Sequence, residues 1–354
     1  MTLHRRQILA AGLTLGAMSL FPGMSWAQAR KLVFATFTGS WEEAHRDVIV
    51  PHFRKATGNA DIALDPMLSV DMIAKVSAAK ANPPIDVMLM DPGPRLSVIG
   101  QDLAAPFPAD DSKNYKDLLP VAQLPEGPGI FFQAVGITYN PEKVKTPPTS
   151  WADFFDTQKF PGKRALRGGA KSTLEFALIG DGVPPKDVYK VLATPEGVDR
   201  AFKKLDSIKK DLIFWKAGAQ PPQLLASGEV VMTSVYNGRI DAANLNDRRN
   251  FGVVWNGALF TIDSWVILKG SPNVESAYKY LDFVGKPEAQ AKLTPAIAYG
   301  PTAAGAAKYI DPKRLPDMPT APENMKNIVT IDPAFWLENI DRLNDRFNKW
   351  AAAN

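Results

Sequence analysis

The sequence predicts an α/β fold of two blocks, the second inserted into the first. Three observations predict it. Short apolar or alternating runs take turns with amphipathic helical patterns. The pattern restarts after residue 140. Two long extended runs, near residues 130–139 and 260–268, supply two crossings between the blocks.

In the first block, Lys31 to Thr36 alternates and is rich in Val, Phe and Leu, as a strand should be. Ser40-Trp41-Glu42-Glu43 reads as a capping box opening a helix, with Trp41, Ala44, Val48 and Phe53 near helical spacing. Pro51 is expected to kink or restart that helix and Gly58 to end it. Ile62 to Pro66 is a second strand, and Asp71 to Ala81 a helix stopped by Pro83-Pro84. Ile85 to Met90 is almost wholly apolar, the mark of a buried parallel strand.

After the long run Ile130 to Tyr139, the second block begins with a short helix at Trp151 capped by Ser150. Ala165 to Arg167 is a short strand, followed by a Gly168-Gly169-Ala170 loop. Ser172-Thr173-Leu174-Glu175 reads as a second capping box. Val188 to Lys209 is helical with a break near Pro195, and Gln223 to Ser227 is a helix ended by Gly228. Glu229 to Tyr236 is a strand, Arg239 to Leu245 a helix, and Phe251 to Trp255 a strand. The chain then returns through Phe260 to Leu268 into helices at Val274 to Val284 and Pro287 to Leu293. A last helix, Pro333 to Ala352, closes the chain.

Residues Met1 to Ala29 read as a secretory leader: His4-Arg5-Arg6, an apolar run to Phe21, then Ala27-Gln28-Ala29. The arginine pair suggests the twin-arginine export route. Cleavage after Ala29 would leave the other residues as an exported, periplasmic chain. Its length suits two domains. Without cysteine there is no acylation site, thiolate metal site or cysteine nucleophile. Lys and Arg number 41 against 37 Asp and Glu, and no long basic run stands out, so nucleic acid is not an expected partner.

Two joined lobes make a cleft that closes on a small molecule. Asp91, after a buried strand, falls at a carboxyl end facing it, as do Thr38 and Ser40 after the first strand. The helix start at Ser172 offers free N–H groups for an anion. Catalysis has little to stand on. His45 and His52 are seven apart with no third ligand evident, no Ser-His-Asp set is legible, and Gly168-Gly169-Ala170-Lys171-Ser172 fails the Walker pattern.

Several segments carry a resemblance: Thr149-Ser150-Trp151-Ala152-Asp153, Tyr236-Asn237-Gly238, Phe260-Thr261-Ile262-Asp263-Ser264 and Ala298-Tyr299-Gly300-Pro301-Thr302. In order and spacing, with Ile85-Asp86-Val87, they resemble the periplasmic spermidine/putrescine-binding family of ABC importers. The resemblance implies the type II binding-protein fold: two α/β lobes joined by two crossing strands. This agrees with the division read from the leader and the two crossings: residues 1–29 as leader, 30–135 with 265–354 as lobe 1, and 136–264 as lobe 2, the last helix free to pack on either. The resemblance also implies a monomer serving a membrane permease, with no enzyme activity, cofactor or metal.

The resemblance implies that Asp263 meets a ligand amine and that Tyr236 and Tyr299 wall its apolar spacer, with Trp41 a third aromatic. The sequence departs from the polyamine pattern in three places. Gly169 and Ser172 stand where further acids are expected, Thr261 replaces an aromatic, and Arg239 replaces a small residue. One acid and one guanidinium suit a ligand with one amine and one carboxylate. A γ-aminobutyrate-like ω-amino acid is the sharper expectation and a polyamine the alternative. Ferric-ion capture and an exported enzyme are the remaining ones.

Overall fold

The computed structural model describes residues 31–58, 61–79 and 82–353. The expected leader, residues 1–29, lies outside them.

Eight principal strands form one mixed sheet. They are β1 (Leu32–Thr36), β2 (Ile62–Pro66), β3 (Val87–Met90), β4 (Gly127–Tyr139), β5 (Arg164–Arg167), β6 (Leu212–Trp215), β7 (Met232–Tyr236) and β8 (Gly252–Ile267). Their order is β2-β1-β3-β8-β4-β7-β5-β6. β1 pairs in parallel with β2 and β3, and β5 pairs in parallel with β6 and β7. The two long strands β4 and β8 lie antiparallel at the centre and connect these parallel groups.

Both faces of the sheet are buried, and alternation sorts the side chains between them. In the first half, Phe34, Val87, Leu89, Trp265 and Ile267 enter one core. Ala35, Met88, Met90 and Val266 enter the core on the other face. In the second half, Leu166 and Met232 join Trp151, Phe154, Phe176 and Leu178, while Ala165 and Val235 face Trp215 and Ile240.

The helices that matter for the site are α1 (Ser40–Ala44), α2 (Val50–Thr57), α3 (Ser69–Ala79), α4 (Pro92–Gly100), α5 (Trp151–Phe155), α6 (Thr173–Gly180), α7 (Asn237–Asn246) and α8 (Pro333–Ala352). A π-helical turn, His45–Ile49, joins α1 to α2. Pro51 has no N–H to give, and the wider turn just before it absorbs the deficit.

Several expectations need correction. Gly39, with φ 81°, is the cap of α1, and Ser40 is already the first helical residue. Ser172 does stand at the cap of α6, but its φ is 74° and its side chain makes no capping bond. A cap needs extended backbone to aim its oxygen at the first amides, and the left-handed turn denies it that. The runs 251–255 and 260–268 are one strand, β8, whose pairing with β4 slips between Val135 and Ile137. The slip holds Gly257, with φ 74°. β6 and α4 were not foreseen. The last helix, α8, buries Trp336, Leu343 and Phe347 in the core of the second half, and it also lies against α4 of the first.

Candidate functional site

Charged and phenolic groups from both halves converge where the parallel strands end. Asp263 sits on β8 opposite Phe131 of β4, and Thr261 sits opposite Gln133. Residues two apart share a sheet face, so these four side chains form one patch. Asp263 is fully buried. Its Oδ2 accepts a 2.6 Å hydrogen bond from Gln133 Nε2. Its Oδ1 has no partner among the described residues, and neither has Thr261 Oγ1. Burial pushes the Asp263 carboxyl well above the usual range and nearby Asp91 adds to the shift, while the Gln133 bond and Lys171 oppose it.

Asp91 directly follows β3 and stands at the N-terminal cap position of α4 in extended backbone conformation, its side chain making no capping bond. Its Oδ2 accepts from Ser69 Oγ at 3.1 Å. Tyr236 ends β7, half-buried. Burial raises its phenol, Arg167 opposes that shift, and Asp91 and Asp263 add to it. Tyr299 is buried and raised for the same first reason, with Arg239 opposing and Asp263, Tyr236 and Asp91 adding. One electrostatic cluster therefore joins Asp91, Asp263, Tyr236, Tyr299, Arg167 and Arg239.

Tyr299 is held by its neighbours. Its ring stacks on Phe131 at 4.6 Å and 11°. Asn237 accepts from the Ala134 amide and donates to the Ala298 carbonyl, so it ties β4 to the loop that carries Tyr299. Gly238 lets the ring approach, since a Cβ there would stand 2.5 Å from Tyr299 Cε1. The Tyr-Asn-Gly motif thus has a packing reason.

Trp41 lies behind this wall. It is 2% exposed, packs on Phe131, and its Nε1 donates to Thr36 Oγ1 at 2.9 Å. Thr38 is exposed and its carbonyl accepts from Arg239 Nη2 at 3.1 Å. Ser40 is half-buried at the start of α1. Gly169 (φ 129°) and Ser172 flank the loop after β5, where the Ala170 amide donates to Asn344 Oδ1 of α8.

The sequence reading passed over Arg167 and Lys171. Arg167 ends β5 and is half-buried. Tyr236 raises its guanidinium most, burial opposes, and Asp91 and Glu175 also raise it. The strand-end rule that found Asp91 would have found it. The histidines lie elsewhere: His45 is buried, with Nε2 at 2.5 Å from Tyr280 Oη, and His52 packs on Phe283. Burial lowers His45 to about 3, so the ring is neutral. Among the described residues, no group of three His, Cys, Asp or Glu side chains is placed to hold a metal ion.

Chemically, the cluster offers acids for an ammonium, a guanidinium for a carboxylate and tyrosines for the carbon between them.

Known proteins resemble this chain over most of its length. The family model for bacterial extracellular solute-binding proteins matches residues 49–320. A γ-aminobutyric acid-binding protein of Pseudomonas aeruginosa is 45% identical over 227 residues, 64% of each chain and so under two thirds of the relative. A spermidine/putrescine-binding periplasmic protein of Escherichia coli is 26% identical over 51% of this chain and 50% of its own. Among solved structures, the Atu4243-GABA receptor is 30% identical with a TM-score of 0.80, covering 92% of this chain and 98% of that one. The binding protein MotA of Agrobacterium tumefaciens B6, in complex with glucopine, is 27% identical with a TM-score of 0.82, covering 91% and 100%.

Proposed function

The chain belongs to the bacterial extracellular solute-binding protein family, and we propose that it captures a γ-aminobutyrate-like ω-amino acid in the periplasm for an ABC import complex. The single observation carrying this reading is Arg167, at the end of β5, beside Tyr236, at the end of the neighbouring strand β7, with Asp91 near both. A site for a diamine has no use for a guanidinium at its centre. One for a zwitterion needs both signs.

In this reading the lobes are residues 30–135 with the segment after 265, and residues 136–264 with α8 docked on them. The cleft between them closes about β4 and β8. Asp263 takes the ligand ammonium through Oδ1, and Asp91 adds negative field. Arg167 takes the carboxylate. Tyr236 and Tyr299 cover the methylene spacer, with Thr261, Gly169 and Ser172 lining the remainder and Trp41 backing the wall. The protein binds without turnover, as a monomer, and its partners are the small molecule and the membrane permease, not nucleic acid. No helix among the described residues is long and apolar enough to cross a membrane, which fits a chain released by its leader.

The two relatives with named amines frame the choice: the more similar one is named for γ-aminobutyric acid and the more distant one for polyamines. Arg167→Met tests it by removing the charge and keeping much of the volume. A lost charge-assisted bond is worth about 1.5–3 kcal/mol, or roughly 10–150-fold in affinity. Titration calorimetry should show that loss for γ-aminobutyrate and none for putrescine. Equal losses for both ligands would refute the assignment.

A further inference from the structure

Arg239 differs from the other charged groups of the site, because its guanidinium bonds from one half to the other. It projects from the first turn of α7, in the second half, and Nη2 donates to the Thr38 carbonyl of the loop after β1, in the first half. Two glycines make room for it. A Cβ on Gly218, in the loop after β6, would stand 2.4 Å from Arg239 Nε. A Cβ on Gly39 would stand 2.8 Å from Nη1. Either contact is closer than non-bonded atoms approach, so no other residue fits beside the side chain where it lies.

The slot is therefore built from both halves. Gly218 supports the guanidinium from its own side, and Gly39 and Thr38 receive it from the other. Elsewhere α7 is bonded to the first half at Ala134 and Ala298 through Asn237, and at Ala298 and Arg314 through Asp241 Oδ2. Arg239 adds a separate attachment at the β1 loop.

We infer that Arg239 is an inter-lobe latch: it holds the cleft shut by bonding Thr38 in a glycine slot and does not bind the ligand carboxylate. This rests on the two-lobe reading above. It makes Arg239 a positioning residue, whose loss should weaken every ligand alike. A latch favours the closed state whatever the cleft contains, and a ligand binds in proportion to the population of the competent state.

The sequence has no cysteine, so Lys55→Cys and Lys203→Cys, both exposed, carry two spin labels and no others. One label sits on α2 and the other in the second half. In ligand-free protein, the latch predicts a population at the short separation of this structure. Arg239→Ala and Gly218→Ala should each deplete it at least fivefold. The same variants, unlabelled, should weaken γ-aminobutyrate and putrescine by one common factor, about tenfold, seen in the dissociation rate. Gly218→Ala leaves the charge in place, so it separates displacement of the latch from loss of a cation. Unchanged label distances would overturn the latch. So would a loss confined to γ-aminobutyrate, which would return Arg239 to the carboxylate. Failure of the parent protein to bind either ligand would instead refute the ligand reading, and the label distances would still decide the latch.

Discussion

Asp263 concentrates the tension in the molecule. A buried carboxylate oxygen without a partner costs free energy, and the group answers by holding its proton. Its pKa is raised in the folded chain and ordinary when unfolded. Its stabilising contribution is therefore fully present below the ordinary carboxylate range and lost as pH rises through the folded value. At pH 8 the ligand-free protein carries a cost that an ammonium relieves on binding. Asp263→Asn should consequently raise the ligand-free melting temperature at pH 8 by a few degrees and abolish stabilisation by any amine. In the parent, affinity should fall as pH drops through the raised pKa, because the amine needs the ionised form. Thermal shifts at pH 5 and pH 8 check both signs. A variant less stable than the parent at pH 8, or one still stabilised by γ-aminobutyrate, would contradict this account.

At the scale of elements, periodicity was enough to find most strands and helices, because burial on both faces leaves an unbroken apolar run and burial on one face leaves a stripe. What it missed turned on single backbone angles and distant neighbours. Neither Ser40 nor Ser172 caps its helix, and nothing in Ser-x-x-Glu reveals that Gly39 or Ser172 has a positive φ. The sequence reads 251–255 and 260–268 as separate runs, yet one strand continues through both. Gly257 bulges, its carbonyl accepts from Trp151 Nε1, and its amide donates to the Asn327 carbonyl. Gly257→Ala should cost about 1–3 kcal/mol, from left-handed strain together with a Cβ placed 2.8 Å from Trp151 Cδ1. Denaturant unfolding measures it, and a neutral result would mean that the bulge relaxes freely. Asp263, Tyr236 and Tyr299 were legible in sequence because they sit in recognisable segments. Arg167 was legible as a strand end, but its place beside Tyr236 was not, because that depends on β5 lying next to β7 in the sheet. The Arg239–Thr38 bond spans 201 positions, and no local pattern announces it.

Across the whole molecule, two halves, each with a core on either face, share one sheet, and β4 and β8 are the covalent links between its parallel groups. α8 complicates a simple inserted-lobe picture. It buries Trp336 against the second half, where the indole donates to the buried Glu175 carboxyl, and it lies against α4. Through Asn344 it also steadies the loop beside Arg167. The chain end thus braces the loop that, in this reading, meets the ligand carboxylate. Affinity should come from both ends of the ligand together, since the site gathers a cation, acids and phenols into one electrostatic cluster. Titration calorimetry of γ-aminobutyrate, putrescine and butyrate into the parent protein at pH 8 tests that most directly. γ-Aminobutyrate should bind at least a hundredfold more tightly than either single-signed molecule. Putrescine binding as tightly as γ-aminobutyrate, or more so, would contradict it.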